Sequence, residues 1–270
     1  MIKQKSRFGH CRSVQRHIKF RIESRLIISE KEWCGVNEKI AVITGGSSGY
    51  GFTMAEEFKK KGYKVVITAR NEECLLQAKE KCGADDAYVM DVTRYEDWIS
   101  LKEFVVGKYG KIDVMINNAG GGVAIQDVDE FSQKQIDETV ALNLTSVIYS
   151  SNVIGALMKG QRDGVIINVS SVCAKHCWNK WSVYAAAKAG VLNFSKGLYV
   201  ELRPYGVRVT CIVPAAARTG FQSSAGIAEE TAVLSPADVA KSALYAAELP
   251  KTAVIEELTI WGTSQEVNPL

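Results

Sequence analysis

Seven short runs of this chain are apolar almost from end to end, and a longer stretch of helical spacing separates each from the next. They are residues 39–44, 64–68, 86–90, 112–117, 164–170, 207–213 and 254–260. They read as continuous apolar strands rather than alternating ones, so they belong in a sheet covered on both faces. A helix between consecutive strands is the connection that a parallel pairing needs. The expected fold is therefore α/β: one doubly wound domain built on a seven-stranded parallel sheet.

The intervening helices are expected at about 50–61, up to Cys82 with Gly83 as stop, on to Tyr109, and at about 132–159, 181–203 and 235–249. The last opens on Ser235 as N-cap, with Pro236 behind it and Asp238 at the third position, a variant of the capping box. No repeat and no linker divides this body.

Composition narrows the function. With 47% hydrophobic and 23% charged residues the chain has the make-up of a globular domain. A net charge of only +3 gives no global argument for nucleic acid, and no run of sequence reads as a bilayer span, so neither is expected as a partner. Seven scattered cysteines without a CxxC read as reduced thiols, which suits a cytoplasmic protein. Of three histidines only His176 lies in the body, so neither a metal site nor a Ser-His-Asp site is expected.

Residues 1–35 do not match the rest, being rich in Arg and Lys and poor in acids. They read as a transit-like presequence, as a basic arm, or as upstream DNA translated by mistake. The third reading is favoured by codon logic: Lys31-Glu32 can be encoded AAGGAG, a ribosome-binding sequence, and Val36 can be GTG, an alternative start. The expected division is a basic extension over 1–35 and a single α/β domain over 36–270.

The first strand ends in TGGSSGYG, residues 44–51. Glycines at 45, 49 and 51 remove side chains where backbone must approach a pyrophosphate, and the next helix aims its first amides at that anion. Further on, Tyr184 and Lys188 stand four residues apart in SVYAAAKAGV, on one helix face. A phenol titrates near 10, too high for a base at neutral pH, and a neighbouring ammonium lowers it. Taken alone such a pair is far more often a packed ring beside a solvated amine, but it can also trade a proton with a substrate oxygen.

The TGxxxGxG spacing resembles the short-chain dehydrogenase/reductase family, and the resemblance extends over roughly 38–262. NNAG at 117–120, DVT at 91–93, Asn143 in NLTSV, NVSSV closing strand five, YAAAK, and VPAAART at 213–219 stand in that family's order. It implies a Rossmann-type fold with Asn143, Ser171, Tyr184 and Lys188 as catalytic residues. Tyr184 would be the acid/base. Lys188 would tune it and hold the nicotinamide ribose, Ser171 would hydrogen-bond the substrate oxygen, and Asn143 would position a water leading to Lys188. Cofactor contacts are expected from Gly45, Ser47, Gly49, Tyr50, Gly51, Arg70, Asp91, Val92, Asn118, Tyr184, Lys188 and Thr219, with Asp91 toward the adenine. Two departures stand out: Ala215 in place of a glycine after Pro214, and Tyr50 where an aliphatic residue is usual, which is expected to intrude on the cofactor or substrate side.

At the end of strand two Ala69 stands where an NAD enzyme places an acid, and Arg70 follows, able to pair with a 2′-phosphate; NADP(H) is the expected cofactor. The substrate is expected to be a secondary alcohol or ketone: a hydroxysteroid, a 3-oxoacyl compound or a small hydroxy acid. Residues 173–183, with Cys177, Trp178 and Trp181, should line the pocket, and Lys175 and His176 are the nearby cations for a carboxylate. Residues 216–234, with Phe221, should form a flap. A homodimer or homotetramer is expected, because Val147, Ile148, Val191 and Leu198 extend the apolar surface beyond one helix face. The alternative is a catalytically silent NADP(H)-binding regulator.

Overall fold

The computed structural model describes residues 38–217, 219 and 234–263. The extension over 1–35, Phe221 and most of the expected flap lie outside them. The strands are β1 (Ile40–Thr44), β2 (Lys64–Ala69), β3 (Asp86–Val89), β4 (Val114–Asn117), β5 (Gly164–Val169), β6 (Val207–Pro214) and β7 (Glu257–Ile260). They form one sheet in the order β3-β2-β1-β4-β5-β6-β7, with every pairing parallel. The doubly wound, seven-stranded fold read from the sequence is the fold observed. The connection reverses direction between β1 and β4, and ligands of such sheets bind outside the strand ends at that point.

The helices are α1 (Gly49–Lys60), α2 (Glu72–Cys82), α3 (Tyr95–Tyr109), α4 (Gln133–Val140), α5 (Ser146–Gln161), α6 (Ser182–Leu202) and α7 (Pro236–Glu248). The period of two along each strand divides the core. Ala41, Ile43, Val65, Ile67 and Ile116 face Met54 and Phe58 of α1, Leu75 of α2 and Val239 of α7. Ile40, Val42, Val66, Met115 and Ile166 face Trp98 and Leu101 of α3, Ile154 of α5 and Leu198 of α6. Each large side chain so buried contributes roughly 1.5–3 kcal/mol.

Several expectations are corrected. Residues 132–159 are not one regular helix: Ala141–Thr145 is a π-helical turn between α4 and α5, and Asn143 lies inside it. The capping box belongs to α4, where Ser132 and Gln135 bond reciprocally. At α7, Ser235 Oγ accepts from the Ala237 amide at 3.2 Å, and the Asp238 amide goes to the Ser235 carbonyl. Strand β7 starts at Glu257, because its pairing with β6 begins at Cys211. Of the apolar residues expected to spill beyond one face, Val147, Val191 and Leu198 are buried inside this chain, and Ile148 alone is exposed, at 38%. The run Gln133–Gln161 is long and apolar enough, by length and composition, to cross a membrane, contrary to the reading of the sequence. Here its apolar residues are explained by packing: Ile154 and Met158 are fully buried against the sheet.

Candidate active site

The glycine loop lies at the switch point. Gly45 and Gly49 have φ of +66° and +54°, the left-handed region that glycine enters without cost. Gly51 is needed for a different reason than the one read from the sequence. A β-carbon there would stand 2.3 Å from the Gly45 carbonyl oxygen and 2.6 Å from Asn118 Nδ2, so its role is to let the loop close on itself. Asn118 holds that loop, its amide donating to Thr44 Oγ1 at 3.0 Å and its Nδ2 to the Thr44 carbonyl at 2.9 Å. Ser48, the N-cap of α1, makes no side-chain capping bond, and no acid occupies the first turn. The first amides of a twelve-residue helix are thus left for an anion, beside Ser47. Thr219 packs on the same loop, its β-carbon 3.2 Å from where a Gly49 side chain would begin. Tyr50 reaches across to the segment after β6, donating to the Ala215 carbonyl at 3.1 Å, and burial holds its hydroxyl well above the ordinary phenol range. It is a tether between two walls of the site.

The ends of β2 and β3 lie side by side, with Ala69 opposite Val89. Arg70 is exposed there and has no carboxylate partner among the described residues. Asp91 Oδ1 accepts from the Thr93 amide at 2.9 Å and hydroxyl at 2.7 Å, which fixes the turn. Val92 is buried, its carbonyl taking the Trp98 indole N–H at 2.9 Å. The strand ends thus offer one exposed cation and one fixed carboxylate to a nucleotide. This loop, bare helix end and pair of strand ends fit a dinucleotide.

Ser171 follows β5, and Tyr184 and Lys188 rise from the first turns of α6. Tyr184 is 7% exposed; burial raises its hydroxyl well above the ordinary phenol range, the buried Cys173 adds to this, and a hydrogen bond with Ser171 opposes it. Lys188 is 4% exposed, donates to the Val169 carbonyl at 3.0 Å, and lies 5.7 Å from the centroid of the Tyr184 ring. Burial lowers its ammonium to about 8. The sequence reading that Lys188 brings the phenol below its usual value is therefore not what the protein by itself shows; desolvation dominates, and the phenol is firmly neutral. Asn143 is fully buried. Its Nδ2 donates to the Gly121 and Thr139 carbonyls at 2.9 and 3.0 Å, and its Oδ1 accepts from the Gly121 amide at 3.0 Å. Gly120 lies between that Oδ1 and Lys188 Nζ, which a side chain there would meet at 3.0 and 3.1 Å. The four residues thus come together at the carboxyl ends of β4 and β5, beside the glycine loop.

One supporting network escaped the sequence. Asn117 Nδ2 donates to Asn168 Oδ1 at 2.8 Å, Asn168 Nδ2 to Ser195 Oγ at 2.9 Å, and Ser195 Oγ to the Val191 carbonyl at 2.7 Å. It pins β4, β5 and α6 together beneath Tyr184 and Lys188. The only sequence signal was an asparagine at the end of each of two apolar runs. On the substrate side, Lys175 does not stand ready for a carboxylate, being paired with Glu257 and donating to Thr259 Oγ1 at 2.8 Å.

The short chain dehydrogenase family model matches residues 39–230, well over half of the chain. Tropinone reductase-like 2 of Erythroxylum coca is 36% identical over 195 residues, 71% of each chain. An uncharacterized oxidoreductase of Staphylococcus saprophyticus is 31% identical over 230 residues, 83% of this chain and 97% of the relative. The closed form of serine dehydrogenase, solved with NADP+, superposes with a TM-score of 0.81 at 26% identity, covering 86% of this chain and 98% of the other. Loop, strand ends and the cluster around Tyr184 are thus held on a fold and a sequence that agree, and the chain belongs to the short-chain dehydrogenases, as an NAD(P)-dependent oxidoreductase.

Proposed function

We propose that the chain interconverts a ketone and a secondary alcohol with NADP(H), using Tyr184 as the proton donor and acceptor. The observation that carries this reading is the neutral, buried phenol of Tyr184, hydrogen-bonded with Ser171 and set against Lys188. A nicotinamide held at the glycine loop would supply hydride chemistry at the carbonyl carbon. In reduction Tyr184 gives its proton to the substrate oxygen, and Ser171 donates a hydrogen bond to that oxygen. Lys188 would hold the ribose hydroxyls. Asn143 has spent both amide protons on backbone carbonyls, so its remaining service is through Oδ1, which faces Gly120 beside Lys188 Nζ and can hold a water for proton return. A phenol raised by burial is protonated at neutral pH, so the proton that reduction needs is in place there, whereas the phenolate that oxidation needs forms only in alkaline solution. The silent-regulator alternative gains nothing from relatives named as an oxidoreductase and a reductase.

Gly45, Ser47, Gly49, Tyr50, Gly51, Asn118 and Thr219 would hold the pyrophosphate and nicotinamide side, and Asp91 and Val92 the adenosine. Arg70 selects the nucleotide, since its guanidinium is exposed, without a carboxylate partner among the described residues, and no acid precedes it. The chain works in the cytoplasm, where thiols such as Cys74, Cys173 and Cys211 stay reduced, and as a dimer or tetramer. The test is the ratio of kcat/KM for NADPH and NADH against a carbonyl panel. The wild type should favour NADPH by about ten- to a hundredfold, the worth of a charge-assisted contact. Arg70→Asp should reverse the preference. Preference for NADH in the wild type, or no change on substitution, would contradict the assignment.

A further inference from the structure

The described wall around Tyr184 is apolar and aromatic. Cys173 and Ala185 are buried against it, and Ile125, Trp178 and Trp181 pack on them half-exposed. The Trp181 ring meets the Tyr184 ring edge-on at 5.5 Å, so it flanks whatever the phenol meets. Both lysines of the neighbouring loop are engaged. Lys175 is paired with Glu257, and Lys180 with Asp127 at 3.6 Å. The His176 ring lies between Trp178 and Trp261, at 6.0 and 5.5 Å. Lys188 is buried on the Val169 carbonyl. A carboxylate brought to this wall would shed its water and find no opposite charge among the described residues, which is costly. A flat ring would find aromatic edges and faces at stacking distance.

We infer that the substrate side takes an uncharged ketone carrying a ring or other flat apolar group beside the carbonyl, that it rejects oxo acids, and that Trp178 and Trp181 set this preference. The inference rests on the ketone-reductase reading above and narrows it to a substrate class. It turns against the small hydroxy acids that the sequence left open.

The test uses the full chain with NADPH and four carbonyl compounds: acetophenone, its charged counterpart 4-acetylbenzoate, butanone and acetoacetate. Acetophenone should exceed 4-acetylbenzoate in kcat/KM by about tenfold or more, the discrimination expected when a charge goes unpaired. Trp181→Ala and Trp178→Ala should each cost acetophenone about tenfold while leaving butanone within about threefold, the worth of one ring contact. NADPH binding, followed by fluorescence, should not change. Trp181→Leu keeps an apolar side chain without the ring and should behave as the alanine variant does, so a poorly folded alanine variant does not rescue the idea. Equal or better turnover of either acid, or equal losses on acetophenone and butanone, would overturn the inference. If acid turnover then disappears in Tyr184→Phe, only the substrate class has failed. If none of the four compounds is reduced with either nucleotide, the ketone-reductase reading falls with it.

Discussion

Lys188 is an ammonium that the fold would hold at lower cost as an amine. Burial brings it from 10.5 to about 8, against one carbonyl partner at 3.0 Å. Its folded value lies below its unfolded one, so the folded state binds fewer protons between those two pH values and gains stability as pH rises through them. The charge therefore weighs on stability fully below about pH 8 and no longer above about pH 10.5. The stability difference between Lys188→Met and wild type should thus shift in the variant's favour by up to about 3 kcal/mol on going from pH 10.5 to pH 7. Urea unfolding of both proteins at the two pH values reads this directly. An unchanged difference would mean that Lys188 is not a strained cation. The spacing of Tyr184 and Lys188 was legible in the sequence because four residues make one helical turn. The direction of the phenol's shift was not, because side chains that pack around it, Cys173 and Ile125 among them, come from other stretches of chain.

Among the elements, the glycine loop shows how one glycine can be required by packing and another by backbone geometry. Gly51→Ala would drive a methyl group onto the Gly45 carbonyl, so it should cost about 1–3 kcal/mol of stability, as overpacking does, and weaken NADPH binding by opening the loop. Gly107, inside α3, has nothing within 4 Å, and its alanine variant should gain about 0.5–1 kcal/mol. Thermal unfolding of the two variants should therefore move in opposite directions; a neutral Gly51→Ala would contradict the packing. The loop and the strand–helix order were readable because glycine, apolar runs and stop signals are local. The π turn at Asn143 was hidden, since one extra residue in a long helical stretch scarcely disturbs its periodicity, and bonds from Asn143 to Gly121 fix it from 22 residues away. The Asn117–Asn168–Ser195 network was hidden for a related reason, being created by strand register across 51 and 27 residues.

For the whole molecule, sheet order followed from continuous apolar strands with helical crossovers, which allow few other arrangements. Assembly is harder to read, since three of the four residues first chosen as interface candidates belong to the chain's own core. On α5 and α6 the exposed large apolar residues are Ile148, at 38%, and Val200, at 58%. If these faces join copies, light scattering at micromolar concentration should report a dimer or tetramer. Ile148→Glu with Val200→Glu should shift it to the monomer, because a charge buried at an interface goes unpaired. A monomeric wild type would contradict the proposed assembly.

The central claim is that the buried phenol of Tyr184 carries the proton in a hydride-transfer reaction, and Tyr184→Phe tests it most directly. The substitution removes one oxygen and leaves the ring packed among Cys173, Ala185 and Trp181, so fold and NADPH binding should persist. The measurement is kcat for NADPH-dependent ketone reduction in wild type and variant, with NADPH binding followed by fluorescence on the same samples. The account predicts unchanged binding and a kcat lower by about a hundred- to ten-thousandfold. A variant that binds NADPH and keeps more than about a tenth of wild-type turnover would show Tyr184 to be a packed ring and the proposed chemistry to be wrong.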